Sequence, residues 1–446
     1  MFLDRLYKSF FFVFLKSLYV ILVVWLLPNY YLNLFHFGVF FDSTKIFLEV
    51  PFFFVGICLF LWKYNETNQM SFYAFLFFVL YFIPMNSILC LNNVAFDYYL
   101  MVNLYCFLII LGLQLPSNSI HCFYIWDAFT NTKWKNIIRF FLIFVCVIAF
   151  VYTYLMNGFN FSSLLSMYEV RAEFSAYSAG IVGSSVSYFI MIASKICGYF
   201  LPVLTYLSLQ KKMYFEMFLS ILAQIAVFTI NMGKNSLMIL LIVFIVYYLI
   251  DKKHYDFKLI GKFLQLFCVL FLLAFLEKIV VDTDVIFTIF IRRIFYIPAW
   301  LNNVYFDFFS NNPKLFFSQD CFFIQNFCER VYSVDAVKLI SQKEFMDILP
   351  SPNTGMFAEA YMQIGFAGVF VFPLILVLIV RLVSWASSVY GNGASKIIAF
   401  KVVLAFISMP VLESTTMVGL IIFIILSMLI TYVRKSFEMT NGVCRN

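Results

Sequence analysis

Long runs of apolar residues recur along the whole chain, and no other feature constrains the fold as strongly. The hydrocarbon core of a bilayer is ~30 Å thick, so a helix that crosses it needs about 20 mostly apolar residues. The runs show no strand-like alternation, which favours helices over an outer-membrane barrel. The sequence therefore predicts an all-α polytopic membrane protein with about twelve transmembrane helices, forming a single membrane domain over residues 1–446. The predicted spans are 10–28, 45–62, 72–91, 94–115, 137–156, 186–208, 213–231, 235–250, 262–281, 364–380, 397–412 and 416–433.

Composition excludes a soluble enzyme. Hydrophobic residues make up 64% of the chain and charged residues only 12%, which is too little polar surface for a domain in water. Basic clusters on polar segments are missing, so no nucleic-acid partner is expected. The start of the chain has charges at Asp4, Arg5 and Lys8 and no small-residue cleavage site. It therefore favours a first helix that is retained rather than a signal peptide.

Lysine and arginine predict the orientation. An even number of spans places both termini on one side, and the short segments of that side collect basic residues, which puts them in the cytoplasm. These residues are Arg5, Lys8, Lys63, Lys133, Lys135, Arg139, Lys211, Lys212, Lys252, Lys253, Lys258, Lys262, Arg381, Lys396, Lys401, Arg434, Lys435 and Arg445.

Two long segments then face the outside, at 157–185 and at 282–363. Loops of this length are usually either functional or disordered. The larger segment is rich in aromatic residues after Arg292, which predicts a folded element packed on the membrane face or the helix bundle. It also contains Cys321 and Cys328, which are expected either to pair in an oxidising compartment or to remain as two free thiols.

Soluble-type catalytic motifs do not occur. The three histidines are dispersed, and no Cys-x-x-Cys or His-rich metal pattern and no phosphate-binding loop is present. No metal and no cofactor is therefore predicted, and ATP-driven transport is disfavoured. Within the spans, Lys195 and Asp97 are charged; intramembrane charges are often functional, but a lysine also reaches the interface by snorkelling.

Four cations are expected on the outer side. They are Arg171 in the first long segment, Lys234 in the turn between the seventh and eighth spans, and Arg292 and Arg293 at the start of the large segment. Guanidinium groups bind phosphate oxygens bidentately and lysine supplies a point charge, so a converging group of them suits a lipid diphosphate. The alternative is that each one pairs with lipid headgroups at a span end.

The run from Asn353 to Gly368 forms a second candidate region. Asn353, Thr354 and Gly355 indicate a turn, after which the tenth membrane helix is expected to begin. Glu359, Tyr361 and Gln363 would lie in its outermost turns, and Gly365 and Gly368 would allow close approach of another helix. The alternative role of Glu359 is a favourable charge at a helix N-terminus.

In layout and in these short motifs, the chain resembles bacterial O-antigen polymerases, the Wzy-type oligosaccharide repeat-unit polymerases. The resemblance rests on the twelve spans with long outer segments after the fifth and ninth, on Arg171, and on three sequence runs. These runs are Arg292-Arg293-Ile-Phe-Tyr-Ile-Pro298, Asn302-Asn-Val-Tyr305-Phe-Asp307, and Asn353-Thr-Gly355 through Glu359-Ala-Tyr361 to Gly365 and Gly368.

The resemblance implies a membrane glycosyltransferase of the bacterial inner membrane that joins undecaprenyl-diphosphate-linked glycans on the periplasmic face. It implies membrane lipid and a chain-length regulator protein as partners, and neither a nucleotide sugar nor a metal. Catalysis then needs cations for the diphosphate and a carboxylate base for the acceptor hydroxyl. Arg171, Arg292 and Glu359 are the catalytic candidates, and Arg293, Lys234, Tyr361 and Asn353 are candidates for substrate binding.

Two other functions remain open from the sequence. The first is a lipid-linked oligosaccharide flippase, which needs charge within a central cavity and has no use for a long outer loop. The second is a membrane acyltransferase, which needs a histidine within reach of its donor. Related lipid-A-core ligases use an outer-loop histidine that this large segment lacks, which favours a polymerase over a ligase.

Overall fold

The computed structural model describes residues 2–31, 41–65, 68–92, 94–115, 132–157, 185–231, 234–255, 258–319, 327–344, 355–412 and 414–440. These residues are mostly helical, and no strand occurs among them. The all-α fold class is confirmed for this part of the chain. The helices are α1 Phe2–Tyr31, α2 Ile46–Trp62, α3 Gln69–Leu91, α4 Phe96–Gln114, α5 Thr132–Asn157, α6 Ser185–Gln210, α7 Tyr214–Asn231, α8 Lys234–Tyr247, α9 Leu259–Val281, α10 Ile297–Asn311, α11 Ala336–Glu344, α12 Met356–Ile364, α13 Phe366–Ser388, α14 Asn392–Ser408 and α15 Ser414–Thr440.

Helix is present at each of the twelve predicted spans, but the helices differ in length and hydropathy. Within the described residues, eight helices are long and apolar enough to cross a membrane, and two shorter apolar helices cover Tyr214–Thr229 and Met417–Tyr432. A membrane-embedded helical protein is thus supported. The number twelve and the orientation of the termini stay predictions.

The chain divides into two compact units. Unit 1 comprises Met1–Ser117, Phe257–Val380 and Val402–Thr416, and unit 2 comprises Asn118–Asp256, Arg381–Lys401 and Met417–Asn446. In unit 1, α1 packs on α9, α2 and α3 pack on α4, and α10 packs on α12. In unit 2, α5, α6 and α7 pack against one another, and α8 packs on α6 and α7.

Aromatic rings fill much of the core of unit 1. Phe12, Phe53 and Phe82 surround Phe78, with ring centroids 4.6, 6.0 and 4.9 Å from it. Such pairs add stability beyond the area they bury. The many phenylalanines therefore serve packing between helices as well as the lipid-facing surface.

The large segment at 282–363 is folded where it is described, as its aromatic content predicts. After Asp282, which ends α9 with a left-handed φ of 55°, a π-helical stretch covers Phe287–Tyr296 and continues into α10. The smaller segment lies outside the described residues over 158–184.

The predicted start of the tenth span is wrong in one respect. Glu359, Tyr361 and Gln363 do not lie in the outermost turns of the membrane helix; they belong to the separate helix α12. The chain breaks at Gly365, whose φ of 61° is readily available only to glycine. The predicted close approach at Gly368 is confirmed, because a Cβ there would lie 2.0 Å from the carbonyl oxygen of Ala360.

Candidate functional site

Helix α12 is short and enclosed by protein, and other elements satisfy its first backbone groups. Residues 356–363 are all buried. Ala358 N–H donates to the Asn302 side-chain oxygen at 2.8 Å, and Phe357 N–H donates to the Tyr81 hydroxyl at 3.2 Å. The Tyr105 hydroxyl donates to the carbonyl of Met356 at 3.1 Å. The first N–H groups of a helix have no partner within the helix, and here Phe357 and Ala358 donate theirs to side chains of the protein. The N-terminus of α12 is therefore not available as an anion site.

Glu359 is held in a defined position by the main chain. Its side chain is 1% exposed, and its two carboxylate oxygens accept hydrogen bonds from the N–H groups of Val411 and, at 2.7 Å, Leu412. These residues form the turn that follows α14. A buried carboxylate bound to two backbone donors is a strong tie between α12 and that turn, and this geometry supports the structural role of Glu359.

Tyr361 connects α12 to the end of α10. Its hydroxyl lies 3.0 Å from the hydroxyl of Ser310, and the Nζ of Lys314 lies 4.6 Å from its ring centroid. Lys314 also donates to the carbonyl of Phe309 in the last turn of α10, a position where a cation is favourable. Burial lowers the pKa of the Lys314 ammonium group from its usual value.

The Gln363 side chain and backbone anchor the loop that follows α10. Its side-chain oxygen accepts from the N–H of Phe317 at 2.8 Å, and its carbonyl accepts from the N–H of Phe316 at 2.9 Å. Phe316 and Phe317 both have positive φ, 48° and 62°, which is a strained conformation for aromatic residues. The side chain of Phe316 is nevertheless exposed, so this loop presents an aromatic ring at the surface, two residues after Lys314 in the chain.

Arg292 and Arg293 lie in the π-helical stretch before α10. Phe287, Ile291 and Phe295 are spaced by four residues and are buried. The two arginines are adjacent and half-buried. Because this stretch continues into α10 and α10 packs on α12, the arginines, Lys314 and Tyr361 belong to one folded element.

The remaining sequence candidates are placed as follows. Arg171 and Asn353 lie outside the described residues. Lys234 is the first residue of α8 rather than part of a turn, and it belongs to unit 2. Cys328 has a free thiol in the structure and Cys321 lies outside the described residues, so their pairing is not supported by what is described.

A buried polar network in unit 1 escaped the sequence analysis. Lys16 Nζ donates to Glu49 at 3.0 Å and to the side-chain oxygen of Asn86 at 2.5 Å. The Asn86 amide in turn donates to the Tyr99 hydroxyl at 2.9 Å and to Asn103 at 3.0 Å. The network joins α1, α2, α3 and α4, and the side chains of Lys16 and Glu49 are 11% and 1% exposed.

Two sequence signals indicate residues of these contacts that were not among the predicted site residues. Lys16 and Glu49 are charges inside the first and second predicted spans, and opposite charges in two apolar helices favour a pair. Lys314 follows Asn312 and Pro313, which form a plain turn signal, and only the packing of α10 on α12 brings it to Tyr361.

Comparison with known proteins leaves the family open. No protein-family model, curated protein or solved structure matches this chain. The function of this chain is therefore inferred from the residues and the geometry described above.

Proposed function

We propose that this protein polymerises oligosaccharide repeat units carried on undecaprenyl diphosphate, at the periplasmic face of the bacterial inner membrane. The observation that supports this proposal is the set of helical elements described between Phe287 and Ile364. It connects Arg292, Arg293 and Lys314 through α10 to the buried helix α12, which carries Glu359, Tyr361 and Gln363. A flippase has no need of such an element, whereas an enzyme acting on two lipid-linked substrates needs a scaffold beside the bundle.

The reaction requires positioning more than bond activation. The bond between the anomeric carbon of the growing glycan and its diphosphate breaks, and a new bond forms to a hydroxyl of the acceptor sugar. The diphosphate leaves with the bonding electron pair, and the hydroxyl proton passes to a base. Cations such as Arg292 would stabilise the charge that develops on the diphosphate, and tethering both substrates raises the rate by orienting them.

The carboxylates of the large segment differ in their availability as a base. Glu359 is buried and already accepts two main-chain hydrogen bonds, whereas Glu329 and Glu344 are exposed. Asp335 lies 3.8 Å from Arg330, and both side chains are exposed. In this proposal Glu359 and the buried Tyr361 hold α12 in place, and the exposed Ser310 and Phe316 contact sugar.

Deletion of the gene followed by gel electrophoresis of the surface glycan tests the proposal. A polymerase defect leaves glycan of one repeat unit, and a plasmid copy restores the ladder. Loss of all surface glycan, with lipid-linked units retained inside the cell, would refute the proposal and indicate a flippase. A flippase is the second candidate because the Lys16–Glu49 pair places charge inside the helical bundle.

A further inference from the structure

Polar residues form one stripe along the exposed side of α10. Asn303, Asp307 and Asn311 follow one another at intervals of four residues, and Ser310 lies three residues after Asp307, so these side chains share a face of the helix. Asp307, Ser310 and Asn311 are exposed, whereas the aromatic residues of α10 between Asn303 and Ser310 are all buried. The stripe therefore presents hydroxyl, amide and carboxylate groups, which can hydrogen-bond the hydroxyls of a sugar.

Asp307 has an available carboxylate oxygen within this stripe. Its Oδ2 atom accepts a hydrogen bond from the Asn303 amide at 2.9 Å, and among the described residues its Oδ1 atom accepts no hydrogen bond and forms no ion pair. By contrast, Asp282 pairs with Lys278 at 2.7 Å, and Glu359 accepts two main-chain hydrogen bonds. Asp307 therefore keeps one exposed oxygen that can take a proton.

The surroundings of Asp307 disfavour its negative charge. It lies in the last two turns of α10, where the helix dipole is negative. Partial dehydration by the neighbouring elements raises the pKa of its carboxyl group, the charge of Glu344 on α11 adds to the rise, and the hydrogen bond from Asn303 opposes it. Tyr98 on α4 also interacts with it electrostatically. A carboxylate that serves stability gains from a cation beside it, whereas a base gains from a raised affinity for protons.

We propose that Asp307 is the general base that accepts the proton of the acceptor hydroxyl. As the hydroxyl oxygen bonds to the anomeric carbon of the growing glycan, its proton passes to Oδ1 of Asp307, and the diphosphate leaves with the electron pair of the broken bond. The exposed Ser310, one turn further along α10, orients the acceptor sugar. Lys314 donates to the carbonyl of Phe309 in the last turn of α10, so a cation for the diphosphate lies at the same end of the helix. This inference rests on the proposed function, whose base it identifies.

Complementation of the deletion strain tests the role of Asp307. The informative variant is Asp307→Asn, because asparagine keeps the size of the side chain and an oxygen for the Asn303 amide but removes the basic group. Asp335→Asn is the matched control, since Asp335 is another exposed carboxylate of the same outer segment. For each variant, the glycan ladder, the amount of protein in the membrane and the thermal unfolding midpoint of the purified full-length protein are measured.

We expect Asp307→Asn to leave glycan of one repeat unit, while its protein level and unfolding midpoint are no lower than those of wild type, because removal of a disfavoured charge does not reduce stability. In membranes supplied with lipid-linked repeat units extracted from the deletion strain, its polymerisation rate should fall at least about 100-fold. The wild-type rate should decline as the pH is lowered through the pKa of Asp307, because a base acts only when it is deprotonated, and Asp335→Asn should behave like wild type.

A full ladder from Asp307→Asn, in a strain whose deletion leaves single repeat units, would overturn the role of Asp307 while the proposed function stands. A lost ladder together with a lowered unfolding midpoint would also overturn it, in favour of a structural role, as would an equal loss in Asp335→Asn. A deletion that removes all surface glycan would refute the proposed function and this inference with it.

Discussion

Removal of the Lys16 side-chain charge should destabilise unit 1 more than removal of the charge of an exposed lysine. Lys16→Met keeps the bulk of the side chain but leaves the Oε2 atom of Glu49 and the side-chain oxygen of Asn86 without their donor. The other oxygen of Glu49 still accepts from the N–H of Cys90 at 2.7 Å. A buried charge thus loses its counter-charge and keeps one hydrogen bond.

The expected magnitude follows from this geometry. Breaking a buried ion pair by removing one partner costs about 3–5 kcal/mol, whereas removing both charges together is often nearly neutral. Lys16→Met should therefore lower the free energy of unfolding by about 3 kcal/mol. At about 2 °C per kcal/mol for a domain of a few hundred residues, the unfolding midpoint should fall by about 6 °C.

A double-mutant cycle separates the pair from the loss of packing. Lys16→Met, Glu49→Met and the double variant are unfolded thermally in the same detergent, with helicity followed by circular dichroism. Lys63→Met is the control, because Lys63 is exposed and contacts only the ring of Trp62, 5.5 Å from its centroid, among the contacts described for it. The double variant should be more stable than Lys16→Met by at least ~1 kcal/mol. Additive losses, or a midpoint of Lys16→Met equal to that of Lys63→Met, would refute the reasoning.

Three further predictions concern the candidate site. Glu359→Gln leaves one amide oxygen for two backbone donors, so the free energy of unfolding should fall by about 1–3 kcal/mol, and a variant with wild-type thermal stability contradicts the structural role. Gly365→Ala should lower the free energy of unfolding by about 1–3 kcal/mol because alanine disfavours a φ of 61°. The matched control is Gly261→Ala, where a Cβ meets nothing within 4 Å, and equal unfolding midpoints for the two variants would count against this prediction. Arg292→Ala should shorten the glycan ladder at unchanged protein level, and Arg292→Lys should restore the ladder only in part, since an ammonium group cannot replace the bidentate guanidinium. The control is Lys278→Ala, which removes an ion pair with Asp282 at the end of α9 and should leave the ladder intact. A normal ladder from Arg292→Ala argues against a diphosphate site.

The sequence by itself determined where helices form, because apolar runs of membrane-spanning length leave the backbone no other way to satisfy its hydrogen bonds. It also located Gly368 as a place of close approach and the large segment as a folded element. These features depend on local composition, and each is readable within a window of about 20 residues.

Tertiary structure alone decided which polar groups meet. Lys16 finds Glu49 from 33 residues away, Glu359 finds the N–H groups of a turn 52 and 53 residues further on, and Lys401 finds the Gly198 carbonyl across 203 residues. No local pattern contains these pairings, since each depends on which face of a helix packs on which neighbour. The physical reason is the same in each case: a polar group inside an apolar bundle must find a partner, and only the packing of the helices determines which partner is within reach.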